Sequence, residues 1–332
     1  MGDVINVIQC GLGPIGLGVT REIVTRKNLR IVGAVDADQR LAGKDLGELA
    51  GLGRPLGLAV VGDVNEVLDK NADVAVVTTA SAAEAVAKHM DPFLKNHLHV
   101  VTSCEELAYA FRTKSKTCSS IDQVAKQNGV AVLATGVNPG FLMDYLPLAS
   151  TAILRRVDQM TVERIQDAAK RRIPFIKKVG AGMSVEEFRR KVDEGVLRHV
   201  GLTESMHMIA DKLGWSLARM IETIDPVIAQ KAWSGQGMSV PVGHCLGVEQ
   251  FGRGYDQSGR EVLTLHFRAT VGEENARDAI RTEGDPPFHL VIPGGVNGDS
   301  ATIAIVVNAI AAIVDAEPGL RHMADGPLVV CR

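Results

Sequence analysis

No GxSxG turn, HExxH helix or CxxC pair occurs in the sequence. Without them, serine-hydrolase and zinc-site readings have no support, and no metal is expected. Cysteine is sparse and scattered. The five thiols (Cys10, Cys104, Cys118, Cys245 and Cys331) are odd in number and fall at no metal-ligand spacing. Reduced thiols in a cytoplasmic protein are the simplest expectation. There is no strong excess of one charge either. A net charge of −3 gives no electrostatic reason to expect nucleic acid or an anionic membrane as partner. The apolar stretch at residues 301–314 is too short to cross a bilayer and is broken by Asn308. Met1-Gly2-Asp3 leads straight into a strand, without the basic and apolar segments of a signal peptide.

What is present fits an ordinary globular protein: 332 residues, 46% hydrophobic and 23% charged, enough for two domains. The strongest local pattern is Val4-Ile5-Asn6-Val7-Ile8-Gln9-Cys10-Gly11-Leu12-Gly13-Pro14-Ile15-Gly16, a buried strand, a glycine turn and the start of a helix. In a dinucleotide fold Gly11 makes the tight exit, Gly13 lets backbone approach a pyrophosphate, and Gly16 packs helix on strand. Pro14 and Ile15 complete the turn, and the helix aims its free N–H groups at the phosphates. A GxGxxG turn by itself also joins elements that bind nothing. Here a second strand, Leu29-Arg30-Ile31-Val32-Gly33-Ala34-Val35, ends in Asp36, twenty residues after Gly16. That is where a carboxylate takes the adenosine ribose hydroxyls. The ordinary alternative is a turn or capping Asp. Arg40 is placed either to pair with a 2′-phosphate or to lie on a solvated surface, so Asp36 alone does not choose between NAD and NADP.

Alternation then continues. Strands are expected over residues 58–61, 72–79, 98–103 and 130–135, with helices over 65–70, 82–95 and 117–128 between them. This predicts a Rossmann-type, doubly wound parallel α/β sheet, whose ligand crevice lies at the carboxyl ends of the strands. Thr79-Ala80-Ser81, Ser103 and Asn138-Pro139 stand at such ends and are candidates for the nicotinamide end. The sequence divides into a dinucleotide-binding domain (1–138), a substrate and dimerisation domain (139–298), and a C-terminal helix and tail (299–332) returning to the domain junction. The middle segment reads as α+β on a mostly antiparallel sheet. It has a capping box at Ser184-Val185-Glu186-Glu187, a helix over 203–212, and strands 246–251 and 261–271 joined by a polar turn.

Glu105-Glu106 follows directly on a strand end, at the carboxyl edge of the sheet. A carboxylate there is placed either to accept a proton from an amine or to bind a cationic substrate nitrogen beside the hydride-transfer carbon. The alternative is a pair of acids opening a helix, favoured by the dipole alone. Consecutive residues in such a turn point apart, so one of the two is expected in the site. His89, His97 and His99 do not share a helical face, and Arg171-Arg172 with Lys177-Lys178 reads as a basic loop.

Several stretches together carry a wider resemblance. They are Gln9–Gly16, Gly43-Lys44-Asp45-Leu46-Gly47, Thr102-Ser103-Cys104-Glu105-Glu106-Leu107, Gly136-Val137-Asn138-Pro139-Gly140-Phe141, Arg164-Ile165-Gln166-Asp167-Ala168, Val179-Gly180-Ala181-Gly182, Gly294-Gly295-Val296-Asn297-Gly298-Asp299-Ser300-Ala301, Val306–Ile310 and Glu317-Pro318-Gly319-Leu320. In these the chain resembles the 2,4-diaminopentanoate dehydrogenases and related native NAD(P)-dependent amine dehydrogenases, whose amino-terminal domain is similar to dihydrodipicolinate reductase. The resemblance implies oxidative deamination of an amine by NAD or NADP, or reductive amination of a ketone with ammonia, by a homodimer. It also implies a family glutamate as acid/base, which falls on Glu105 or, failing that, Glu106. The HHxxK and DAPSGT-like stretches of the reductase are missing. Two alternatives remain: a dihydrodipicolinate reductase-like C=C or C=N reductase, and a non-catalytic NAD(P)-sensing protein.

Overall fold

The computed structural model describes residues 4–326 and 328–331; Met1-Gly2-Asp3, Pro327 and Arg332 lie outside the described residues. The chain forms two compact units, one up to Phe141 and again from Gly298 on, the other Leu142–Asn297.

The first unit opens with β1 (Ile5–Cys10), α1 (Pro14–Ile23) and β2 (Leu29–Val35), followed by the short α2 (Leu46–Leu49). β3 (Val74–Val77), α3 (Ala83–Lys95), β4 (His99–Thr102), α4 (Ser115–Gln127) and β5 (Ala131–Ala134) continue the alternation. β3 shows why the runs are apolar throughout. Val74, Ala75, Val76 and Val77 are all fully buried, since in a parallel sheet flanked by helices both faces of a strand are covered. Each such valine contributes roughly 1.5–3 kcal/mol by leaving water. The strand expected over 58–61 reduces to two isolated bridges, Val35 with Val61 and Asp45 with Ala59. Asp45 organises this loop, its carboxylate accepting from the N–H groups of Gly47, Glu48, Leu56, Gly57 and Leu58. The helix expected over 65–70 is a single 3-10 turn, Val64–Glu66.

In the second unit α5 (Tyr145–Ser150) leads into β6 (Arg156–Asp167), α6 (Ile173–Lys178), α7 (Val185–Asp193) and α8 (Leu202–Leu213). β7 (Arg219–Ile228), the small pair β8 (Trp233–Gly235) and β9 (Met238–Val240), then β10 (Cys245–Tyr255), β11 (Glu261–Thr270), β12 (Arg277–Asp285) and β13 (Phe288–Pro293) follow. The six-stranded sheet runs β13-β12-β6-β11-β10-β7. Every pair is antiparallel except β6 with β11, which is parallel. Val162, Leu263, Leu265 and Phe267 share a buried cluster with Met206 and Ile209 of α8. Alternate residues such as Glu163, Glu249 and Arg268 form half-buried ion pairs, and His266 hydrogen-bonds Glu249, as the two-residue period of a strand requires. The expected basic loop is in fact helical: α6 carries Lys177 and Lys178, and Arg171 stacks over the Phe175 ring at 4.1 Å.

The chain then re-enters the first unit with α9 (Gly298–Ile313) and β14 (Gly319–Arg321). The described residues from 299 on, expected as a C-terminal helix and tail, cluster with this unit. α9 packs on α1, and β14 adds a parallel edge strand to β5. The close approach of the helices depends on Gly18, where a Cβ would lie 2.2 Å from Ile303 Cδ1. The completed parallel sheet runs β14-β5-β4-β3-β1-β2. Strand order reverses at β1, so a crevice opens at the carboxyl ends of β1 and β3.

Candidate active site

The glycine turn sits at that reversal point. Gly11 has φ +89°, and Gly16 presses so closely on the turn that a Cβ would lie 1.9 Å from the Gly11 carbonyl oxygen. A side chain at either position would break the turn. The Gly11 carbonyl accepts from Gln9 Nε2 at 2.9 Å and from Thr78 Oγ1 at 2.9 Å. Thr78, at the polar end of the β3 run, and Gln9, which pattern reading did not single out, therefore lock β1 to β3 just under the turn. A neutral, buried amide inside an apolar strand was the available signal for Gln9.

Above the turn the surface is open. Nothing lies within 4 Å of where a Gly13 Cβ would stand. Pro14 occupies the first turn of α1, which holds no acidic residue of its own. The positive end of that helix is thus uncompensated by its own side chains, as anion binding requires. Asp36 closes the turn from β2: its Oδ2 accepts from Leu12 N at 2.6 Å and its Oδ1 from Asp38 N at 2.8 Å. Each bond uses only part of the carboxylate's acceptor capacity, leaving lone pairs for ribose hydroxyls. Open backbone over Gly13, a bare helix end and a half-buried carboxylate fit a dinucleotide. Arg40 grips Asp38, its Nε reaching Oδ1 at 2.9 Å and its Nη2 reaching Oδ2 at 2.6 Å.

The remaining candidates line the same sheet edge. Thr79, Ala80 and Ser81 follow β3, Ser103 follows β4, and Asn138-Pro139 follows β5. Thr79 Oγ1 meets His89 Nδ1 of α3 at 2.7 Å. Two bonds tie the loop after β3 to the turn after β4. The Ser81 carbonyl accepts from Glu106 N at 3.1 Å and from Cys104 Sγ at 3.1 Å. A third comes from Glu106 itself, whose Oε2 accepts from Ala83 N at 3.0 Å. α3 begins after Ala82, which has no side-chain cap to offer, so Glu106 caps that helix from across the sheet. Glu105 stands one residue earlier, partly buried, at the head of the 3-10 turn.

The thiols here are not nucleophiles. Burial pushes Cys10 up to about 12, with the Asp36 charge adding to it, and burial likewise raises Cys104 to about 12. The three histidines go to separate partners: His89 to Thr79, His97 to the Asn128 carbonyl, His99 to Ala131 N.

A parallel sheet with a glycine turn at its reversal point and acids on the same edge defines a nicotinamide-nucleotide oxidoreductase. Comparison with known proteins narrows the class. Residues 5–134 match the family model "Dihydrodipicolinate reductase, N-terminus", and residues 141–331 match "2,4-diaminopentanoate dehydrogenase C-terminal domain". The chain is 30% identical over 330 residues to the 2,4-diaminopentanoate dehydrogenase of Acetoanaerobium sticklandii, covering 98% of this chain and 94% of that one. It belongs to the 2,4-diaminopentanoate dehydrogenase family, and it is a dehydrogenase that uses NAD or NADP. Among solved structures, the amine dehydrogenase of Mycobacterium smegmatis superposes with a TM-score of 0.86 at 23% identity, covering 100% of this chain and 98% of the other. A dihydrodipicolinate reductase from Paenisporosarcina sp. TG-14 shares the fold at a TM-score of 0.51 and 13% identity, covering 96% and 97%. Among the described residues, no helix is long and apolar enough to cross a membrane.

Proposed function

We propose that the protein oxidises a primary amine to a carbonyl compound and ammonia with NAD(P)+, and runs the reverse reductive amination, with Glu105 as acid/base. One observation supports this above others. The Cys104–Glu106 turn is laced to the Thr79–Ser81 loop on the sheet edge that carries the glycine turn, and Glu106 is committed to capping α3. The site-residue assignment is then Gly11, Gly13, Pro14, Ile15 and Gly16 under the pyrophosphate, Asp36 at the ribose, and Thr79, Ala80, Ser81, Ser103, Asn138 and Pro139 toward the nicotinamide.

The dinucleotide, when bound, supplies the hydride acceptor for deamination and the donor for amination. Glu105 first takes a proton from the substrate ammonium, since only the neutral amine has a lone pair to form C=N as hydride leaves the carbon. Having passed that proton to solvent, the carboxylate draws a second from water as the oxygen adds to the iminium carbon, returns it to the nitrogen, which departs as ammonia, and takes up the carbinol O–H proton as the carbonyl forms. Amine, NAD(P)+ and water thus give carbonyl compound, ammonia, NAD(P)H and one proton. As part of the same proposal the enzyme works as a cytoplasmic homodimer, and sedimentation checks its oligomeric state.

Glu105→Gln tests the assignment. Amine-dependent cofactor reduction should fall by about 10³-fold, within the range for a lost general acid/base, while NADH binding stays near normal. Retained turnover sinks the role. A panel of 2,4-diaminopentanoate, simple ketones with ammonia, and cyclic imines identifies the substrate; turnover of cyclic imines alone would favour a reductase instead.

A further inference from the structure

The loop after β2 carries four charged groups within nine residues: Asp36, Asp38, Arg40 and Lys44. Asp38 is fixed first, its N–H donating to Asp36 Oδ1 at 2.8 Å. Arg40 then folds back on it. The Arg40 backbone N–H donates to Asp38 Oδ1 at 3.0 Å, Nε reaches Oδ1 at 2.9 Å and Oδ2 at 3.1 Å, and Nη2 reaches Oδ2 at 2.6 Å. This is a two-point grip of guanidinium on carboxylate, the geometry in which Arg also binds a phosphate. A 2′-phosphate on the adenosine ribose would need that fork, and would meet the Asp36 carboxylate as well.

We propose that Asp38 makes the enzyme selective for NAD over NADP by holding the Arg40 guanidinium away from the 2′ position of the adenosine ribose. The inference rests on the reading of Asp36 as the ribose-side carboxylate. Arg40 holds the Asp38 carboxyl down to about 2 through its side-chain and backbone hydrogen bonds, so the pair stays ionised through the neutral range. Lys44 also exerts its charge on Asp38 and is the competing cation. The pair is solvent-exposed, with Arg40 87% exposed. Release of Arg40 therefore gives a modest gain, because exposed pairs compete only weakly with water.

Dissociation constants for NADH and NADPH, from cofactor fluorescence titrations, test this in four proteins: the unaltered chain, Asp38→Asn, Asp38→Asn with Arg40→Gln, and Asp36→Asn. The unaltered chain should bind NADH more tightly than NADPH. Asp38→Asn should shift the ratio toward NADPH by about two- to fivefold, and the double variant should return it to the starting value. An unchanged ratio in Asp38→Asn overturns the proposal, as does a gain that survives loss of Arg40, which would move the role to Lys44. Asp36→Asn separates the underlying reading: unchanged NADH binding there removes the ribose assignment itself. Weakened NADH binding there with no shift in Asp38→Asn removes only the role of Asp38.

Discussion

The two sheets solve opposite problems. In the parallel sheet the buried strand residues are apolar apart from Gln9 and Thr102. Polar function is carried by backbone and short side chains at the strand ends. The mixed sheet keeps polar side chains inside: Arg164, Gln166, Gln250, Thr270, Asp278 and Thr282 are all buried. Arg164 Nη1 meets Asp278 Oδ1 at 2.6 Å, with the two side chains only 2% and 5% exposed. Around them, Arg164 and Gln166 both donate to the Val296 carbonyl, and Val296 N donates to Asp278 Oδ2. The ion pair thus holds the Gly294–Asn297 turn against the sheet. The contrast predicts that a side-chain deletion inside the mixed sheet costs stability, whereas one at the edge of the parallel sheet costs function.

The largest effect expected on that contrast is Asp278→Asn. It leaves the buried Arg164 charge without its partner, which costs about 3–5 kcal/mol. Urea unfolding of the intact chain should show the loss in the transition of the second unit, while NADH binding in the first unit persists. A loss below about 1 kcal/mol would mean the pair behaves like a surface one, and the contrast would fail.

His199 gives a pH-dependent version of the same test. It is half-buried, its ring stacked on Phe267 at 4.2 Å, and its segment is fixed by Gln250 bonding both its backbone N–H and C=O. Its Nε2 has no hydrogen-bond partner among the described residues. Burial, with Lys178, Arg164 and Arg198 nearby, holds its pKa down to about 3. In the unfolded chain it takes up a proton near 6.5. Between about pH 6.5 and 3 the unfolded state therefore binds more protons, and stability falls as pH falls. The loss should reach about 2 kcal/mol by pH 5. His199→Phe should flatten this slope in urea titrations at pH 7 and pH 5; an unchanged slope assigns the acid sensitivity to other groups.

The parallel sheet was legible because burial on both faces leaves continuous apolar runs such as Val74–Val77, and because the glycine turn follows directly on one of them. Much of the mixed sheet was not. β7 contains Pro226, tolerated because β7 is an edge strand. β12 reads Arg-Asp-Ala-Ile-Arg-Thr-Glu-Gly-Asp, where the buried Asp278 replaces the apolar residue that a period-two pattern needs. At the site, Gly11–Gly16, Asp36 and Glu105-Glu106 were visible as residue types at fixed spacing. The Asp38 grip on Arg40, the Gln9 brace and the reach of Glu106 to Ala83 were not. Each depends on which of several hydrogen-bond partners a polar side chain takes, and spacing alone does not decide that.

The smallest expected effect falls on Glu106, where the contrast is most exposed to failure. If its carboxylate serves to cap α3, Glu106→Gln should cost about 1 kcal/mol, the usual loss for a helix cap. The neutral amide still offers an acceptor to Ala83 N but loses the charge that favours a helix amino terminus. The loss should be local. Amide hydrogen exchange should quicken in the first turn of α3, at Ala83 and Glu84, and stay unchanged in α4. Turnover should fall far less than in Glu105→Gln, and mainly through weaker cofactor binding, because one of the three ties between the Thr79–Ser81 segment and the Cys104–Glu106 turn is weakened. The opposite pattern, abolished turnover with α3 still protected, would exchange the two glutamates: Glu106 would move the protons, and Glu105 would become the residue that shapes the turn.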